Sequence, residues 1–163
     1  MKAILLAGGT GSRMRPSTIG INKHLIPVYN KPMIYYSLSV LMLCKFREVI
    51  LICDPSSVTN YKRMFSNGKY LGMKIRILIQ KKANGIPEAF LVAKKFIKNQ
   101  CVCLMLGDNF FYGQGFYKIL DKGIKLKKGA FFLAYNVQYP ENYAVIETKK
   151  NKIVSIEEKP KFP

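Results

Sequence analysis

An apolar run near the start of the chain, Ala3-Ile4-Leu5-Leu6-Ala7, empties into Gly8-Gly9-Thr10-Gly11-Ser12-Arg13, with Pro16 and Lys23 close behind. Glycines let backbone N–H groups approach a ligand closely, and Arg offers a planar fork of donors, so this order of residue types suits phosphate oxygens. Two better-known phosphate loops do not fit. No Lys-Ser/Thr pair follows Gly11, as a Walker A loop requires, and Met14 stands where a dinucleotide fingerprint would place a glycine after Gly9 and Gly11. A βα turn whose glycines only permit a tight reversal is the plainer alternative; the cations at Arg13 and Lys23 weigh against it. Nucleotide chemistry is the leading expectation.

Three further clusters carry polar chemistry. In Leu104-Met105-Leu106-Gly107-Asp108-Asn109 an acid ends an apolar run, the place where open α/β sheets bind ligands. Asp108 is therefore expected to hold Mg²⁺, a hard cation that prefers carboxylate and phosphate oxygens, rather than merely to cap the following turn. Gln80, followed by Gly85-Ile86-Pro87-Glu88-Ala89, has an amide that can both donate to and accept from a nucleobase edge, while Gly85 lets backbone approach a planar ring. A polar strand end and a helix entry would explain these residues equally well. Glu157-Glu158-Lys159-Pro160 is either a solvated strand edge or a sugar-phosphate site, with the acid accepting from hydroxyls and Lys neutralising phosphate.

The elements that must position these residues alternate regularly. Residues 2–7, 48–53, 74–80 and 101–106 read as buried strands, Ile-, Leu- and Val-rich without strict alternation, as when helices cover both faces of a sheet. Residues 32–46, 56–66 and 87–98 read as helices between them, with Pro32 and Pro87 in first-turn positions. The pattern predicts an α/β fold, a Rossmann-like, mainly parallel sheet flanked by helices in a single domain over residues 1–163. After a helix at 115–127 the rhythm changes. Residues 130–137, 143–147 and 153–156 are β-like, with a hairpin turn at Lys149-Lys150-Asn151-Lys152, so the sheet is expected to become mixed near its end.

Composition narrows the classes. With 163 residues the chain can bury roughly 70% of its unfolded surface without staples. Polar residues interrupt every apolar stretch short of a membrane span, and no signal-peptide pattern precedes the first strand. A soluble cytoplasmic protein with no membrane partner is the expectation. Cys44, Cys53, Cys101 and Cys103 lack metal or redox spacing and read as small core residues in a reducing compartment. His24 has no second ligand nearby in sequence, which argues against a metal role. The 27 Lys and Arg against 9 Asp and Glu give a net charge of +18. That surface attracts polyanions, yet its lysines are scattered over helix faces and turns, so only weak, non-specific nucleic-acid binding is expected.

Gly8-Gly9-x-Gly11-x-Arg13-x-x-Pro16, Lys23-x-Leu25-x-Pro27-Val28, Lys31-Pro32-Met33-Ile34-Tyr35-Tyr36, Gly107-Asp108-Asn109 and Glu157-Glu158-Lys159-Pro160 follow one another in a specific order. Phe111-Tyr112-Gly113, Ala134-Tyr135-x-Val137 and Pro140-Glu141-x-Tyr143 extend the set. From end to end the chain resembles the N-terminal portion of the sugar nucleotidyltransferases, most closely the glucose-1-phosphate thymidylyltransferase branch. The resemblance implies transfer of deoxythymidylate from dTTP to a sugar 1-phosphate with release of pyrophosphate, in nucleotide-sugar biosynthesis such as the dTDP-rhamnose route, with Mg²⁺ as cofactor. It also implies roles by position. Leu6, Gly8, Gly9 and Gly11 wrap the nucleotide; Arg13 and Lys23 neutralise its phosphates; Gln80 and Gly85 read the base; Asp108 binds Mg²⁺ and substrate; Tyr143 and Glu158 hold the sugar; and Lys159 binds its phosphate.

The chain departs from the pattern in three ways. Ile86-Pro87-Glu88 stands where the thymidylyltransferases have Leu-Ala-Gln, and Ala144 follows Tyr143 where they have glycine. Family members also continue for roughly as many residues again, a portion that supplies a second metal-binding aspartate, part of the sugar pocket and oligomer contacts. Little transferase activity is therefore expected of the 163 residues alone. A nucleotide-binding remnant, a subunit needing a complementary C-terminal chain or a homo-oligomer, and a basic nucleic-acid binder stand as the alternatives.

Overall fold

The computed structural model describes every residue except Thr10, Ala83, Asn151 and Pro163. The chain divides into two compact units, Met1–Lys127 and Lys128–Pro163. The first is built on four parallel strands, β1 (Lys2–Ala7), β4 (Glu48–Cys53), β5 (Lys74–Ile79) and β6 (Val102–Leu106), in the spatial order β5-β4-β1-β6. The expected parallel sheet flanked by helices is present. In β1, Ala3, Leu5 and Ala7 point into one apolar cluster and Ile4 into a second, and β4 divides Val49, Leu51 and Cys53 from Ile50 and Ile52 in the same way. Both faces are covered, which is why these strands read as unbroken apolar runs.

Three helices link the four strands. α1 (Ile34–Leu43) and α2 (Val58–Phe65) cover the first face. α1 buries Ile34, Ser37, Leu38 and Leu41, a stripe at helical spacing, and α2 contributes Tyr61 and Phe65. α3 (Ile86–Ile97) covers the second face with Ala89, Ala93 and Ile97, one side chain per turn, and the small alanines bring the helix close to Ile4, Ile50 and Ile52. Pro87 stands in its first turn, as expected. α4 (Phe116–Ile124) packs Phe116, Leu120 and Ile124 on the first face.

Pro32 does not open a helix. It pairs with Pro27 in a small antiparallel hairpin, β2 (Pro27–Val28) with β3 (Lys31–Pro32), and α1 begins at Ile34. A two-residue edge strand tolerates proline because the missing N–H faces away from any ladder. The Tyr36 hydroxyl donates to Val28 O (2.6 Å) and Met33 N to Ile26 O (3.0 Å), so the hairpin ties the chain after β1 to the start of α1.

The second unit is led by an antiparallel pair, β7 (Ala144–Lys149) with β8 (Lys152–Glu158). Among the described residues it forms a two-stranded sheet of its own, where a mixed end to the central sheet was expected. Of the expected hairpin turn, Asn151 lies outside the described residues. Residues 130–137 form no strand, although their apolar and aromatic content suggested one: a strand needs a ladder partner, and among the described residues none pairs with this segment. The cysteines also differ from expectation. Cys44 and Cys53 are buried, but Cys101 precedes β6 and is exposed, and Cys103 is only partly covered. No helix among the described residues is long and apolar enough to cross a membrane.

Because Ile52 is fully buried between β4 and α3, Ile52→Ala should destabilise the first unit by about 2–5 kcal/mol, read as a lower urea midpoint with an unchanged slope.

Candidate functional site

The carboxyl ends of the four parallel strands all lie on one edge of the sheet. Read across it, β5 is followed by Gln80, β4 by Asp54, β1 by Gly8-Gly9 and β6 by Gly107-Asp108. With strands about 4.8 Å apart, Gln80 and Asp108 stand roughly three spacings from each other, a span suited to an extended nucleotide. The chain leaves β1 toward β4 on one side, and β6 returns to the other, so the reversal of strand order lies between β1 and β6. Open α/β sheets bind ligands at this kind of junction.

A polar network holds the loop after β1 over that junction. The Asn22 Nδ2 donates to Ala7 O (3.0 Å) and to Asp54 Oδ2 (2.7 Å), joining the ends of β1 and β4. Its Oδ1 accepts from His24 N (3.0 Å), His24 Nδ1 (2.8 Å) and the Tyr61 hydroxyl (3.2 Å). Asp54 also caps the turn that leads into α2, accepting from Ser57 N (3.1 Å), Ser57 Oγ (2.8 Å) and Ser56 Oγ. Burial alone would raise the Asp54 pKa; the hydrogen bonds from Ser56, Ser57 and Asn22 outweigh it and hold the carboxyl below its ordinary value. None of these anchoring residues was marked by the sequence motifs, although Asp54-Pro55-Ser56-Ser57 is a legible helix-start signature.

His24, expected to lie outside any metal site, is a buried part of this scaffold. Burial pushes its pKa down from 6.5 to about 4, against the pull of Asp108, so the imidazole is neutral at pH 7. With Nδ1 facing the acceptor Asn22 Oδ1, the hydrogen-bond network assigns the proton to Nδ1. Gly107 is required by this ring: a Cβ there would lie 2.8 Å from His24 Cδ2 and 3.1 Å from Leu6 O. Leu6 O also accepts from Gly107 N (2.8 Å), which continues the β1–β6 ladder one residue past the strand. From α1 the buried Ser37 hydroxyl reaches Leu106 O (3.0 Å) and Asn109 O (2.9 Å), fixing the turn that carries Asp108.

The result is a charged pair over β6. Lys23, adjacent to the anchored Asn22 and His24, donates through Nζ to Asp108 Oδ2. Burial would raise the Asp108 pKa, but the Lys23 hydrogen bond and charge hold it below the usual carboxylate range. Asp108 is thus an ionised, partly exposed carboxylate at a strand end. Mg²⁺ commonly takes one or two carboxylates and completes its shell with substrate phosphates and water, and Asp108 fits that requirement. Among the described residues no cluster of three or more His, Cys, Asp or Glu forms a protein cage.

Over the other strand ends lies a cavity of about 490 Å³ lined by Gly8, Gly9, Asn22, Asp54, Gln80 and Lys82 among others. Gln80 N donates to Cys53 O (2.9 Å), extending the ladder past β5, and its side chain is buried. Gly85, with φ +93°, caps α3 beside it. Gly11, with φ +59°, turns the loop where a Cβ would strike Thr18 at 2.8 Å, and the Thr18 hydroxyl donates to Gly11 O (2.7 Å). Arg13 follows on a short helical turn, exposed and without an ion pair among the described residues. Arg13, Lys23 and Asp108 do not line the cavity.

Nine expected residues, Leu6, Gly8, Gly9, Gly11, Arg13, Lys23, Gln80, Gly85 and Asp108, therefore lie at this edge or on the loops leaving it. The other three gather within the second unit. Ala144 pairs with Glu158 at the open end of the hairpin, and Lys159 N donates to Tyr143 O (2.9 Å), so Tyr143, Glu158 and Lys159 are neighbours there.

The family model described as nucleotidyl transferase matches residues 2–163. The chain belongs to this family. Glucose-1-phosphate thymidylyltransferase of Neisseria meningitidis is 46% identical to this chain over 164 residues, covering 100% of the chain and 57% of the relative. The enzyme of the same name from Mycolicibacterium smegmatis is 41% identical, with the same coverage. A crystal structure of a Bacillus anthracis protein described as a glucose-1-phosphate thymidylyltransferase superposes with a TM-score of 0.92 at 36% identity, over 100% of this chain and 66% of that one. The chain thus spans little more than half the length of the curated relatives it matches.

Two outcomes test the scaffold. Gly107→Ala, which forces Cβ against His24 and Leu6 O, should cost about 1–3 kcal/mol in chemical unfolding. For Asp54 the folded pKa is depressed, so its contribution is complete above the unfolded value near 4 and disappears as pH falls through the folded one. An amide at 54 has one accepting oxygen where the carboxylate accepts with two, so the stability gap between parent and Asp54→Asn, about 1–2 kcal/mol at pH 7, should close on acidification from pH ~5 to ~2 in thermal melts.

Proposed function

We propose that this chain is the nucleotide-binding portion of a glucose-1-phosphate thymidylyltransferase, the protein that transfers deoxythymidylate from dTTP to glucose 1-phosphate and releases pyrophosphate. The observation that carries the reading is the polar array along one sheet edge: Gln80 beside the Gly8-Gly9 cavity at one end and the Lys23–Asp108 pair at the other. The thymidylyltransferases that match along the whole chain support it.

In this reading a base sits against Gln80 and Gly85, and the triphosphate runs past the glycine loop toward Lys23. A non-bridging oxygen of the sugar phosphate attacks the α-phosphorus in line. The bond from that phosphorus to the bridging oxygen of the β-phosphate breaks, and pyrophosphate leaves with the electron pair. No group of the protein is covalently modified, so catalysis is positioning plus charge neutralisation. Lys23, held by its neighbours Asn22 and His24, supplies a fixed positive charge, and Arg13 supplies a second on an exposed loop. Asp108 would hold Mg²⁺ together with substrate phosphates; bound there, the ion would offset the triphosphate charge. Lys23 is also bonded to Asp108, so the pair exchanges partners when phosphate arrives, with the ammonium turning to the anion.

Tyr143, Glu158 and Lys159 hold the glucose phosphate in this reading. The chain covers 57% of the relatives' length, so the activity proposed is one of the whole protein. The dTDP-rhamnose route is the wider setting this product suggests.

In the whole protein, dTTP and glucose 1-phosphate should give dTDP-glucose and pyrophosphate. Arg13→Ala and Asp108→Asn should each lower kcat by at least about 10²-fold, the scale of one preorganised charge-stabilising group. Lys159→Ala should instead raise KM for glucose 1-phosphate. Full activity in Asp108→Asn would remove the role given to that carboxylate.

A further inference from the structure

Gln80 presents a choice that its neighbours have already made. The residue is only 7% exposed, and its Nε2 faces two acceptors, Glu88 Oε2 at 2.7 Å and Gly85 O at 3.4 Å. A primary amide has one donating and one accepting end, so committing the NH₂ group to Glu88 turns the carbonyl oxygen the other way. Oε1 indeed faces Gly8: a Cβ built on that glycine would lie 3.6 Å from it. Gly8 and Gln80 both line the cavity, and among the described residues Oε1 has no hydrogen-bond partner. Glu88 is itself steadied from the loop, accepting from Asn84 N (3.3 Å) in the first turn of α3.

Glu88 differs from the amide the thymidylyltransferase pattern carries at this place. A carboxylate accepts hydrogen bonds only, so it can hold Gln80 by the NH₂ end alone. A glutamine at 88 could hold it by either end. We propose that Glu88 is a positioning residue that fixes Gln80 with its carbonyl oxygen toward the cavity, so that the site selects a base offering an N–H there. Thymine and uracil offer N3–H; cytosine offers a lone pair at the same ring position and is rejected by lone-pair repulsion and an unmade hydrogen bond. The inference rests on reading the cavity as the base pocket, and it adds the group that sets the pocket's donor and acceptor sense.

Direct binding of dTTP and dCTP to this chain tests it, by calorimetry on parent, Glu88→Gln and Glu88→Ala. The parent should prefer dTTP, and both variants should narrow the ratio of the two dissociation constants by about 10-fold, the worth of one hydrogen bond of this kind. Glu88→Gln keeps the size and shape of the side chain, so its fold is preserved. Glu88→Ala removes the restraint by a different route. A merely structural role would weaken both nucleotides equally and leave the ratio unchanged, and that result would overturn the proposal while leaving the nucleotide site intact. A parent that binds both equally, or prefers dCTP, would overturn it as well. A parent that binds neither would overturn the base-pocket reading itself.

Discussion

The amide of Asn22 is the contact on which the site depends. It joins the carbonyl that ends β1 to the carboxylate that follows β4, and its oxygen gathers donors from His24 and Tyr61. Without it, Ala7 O, the His24 ring and the Tyr61 hydroxyl would each lose a partner, at about 1–3 kcal/mol for each one left unsatisfied in a buried setting. More than stability is at stake. Lys23 follows Asn22 directly, so fixing Asn22 and His24 on either side points the ammonium at Asp108. A long cationic side chain would otherwise sample many rotamers, and the entropy of ordering it would be charged to ligand binding.

The anchoring is reciprocal. His24 is buried because Gly107 leaves room for its ring, and Gly107 holds Asp108 in place because Ser37 grips the carbonyls on both sides of that turn. The neutral imidazole, with its pKa pushed down to about 4 chiefly by burial, serves as packing and as a donor, leaving Lys23 and Asp108 as the charged pair over β6. A rigid parallel sheet underneath makes this possible, because its ladders continue one residue past β5 and β6 and carry Gln80 and Gly107 on fixed backbone.

Much of this was legible in the sequence, and the limits have physical reasons. β1 and β4 run over the residues expected, because a strand buried on both faces leaves an apolar run bounded by polar residues. Gly8-Gly9, Gln80 and Asp108 were marked because they follow such runs, and they stand at the strand ends. Asn22, Ser37 and Asp54 were not, since their partners lie up to 72 residues away and ordinary polar side chains leave no periodic trace. Pro32 misled because proline suits both a helix start and an edge strand. Residues 130–137 misled because composition records the preference of a segment for extended backbone, whereas a strand also needs a partner. Glu88 marked a departure whose meaning became visible only when Gln80 was found bonded to it.

The central claim is that one polar hub holds the loop carrying Lys23 over the sheet edge independently of the core beneath. Amide hydrogen exchange on Asn22→Ala against the parent tests it most directly. The account predicts faster exchange at Leu25 and Ile26, whose amides close the short helical turn after Asn22, with the amides of β1 and β4 as protected as before. Unchanged exchange in the loop, or equal loss of protection in the loop and the central strands, would contradict it.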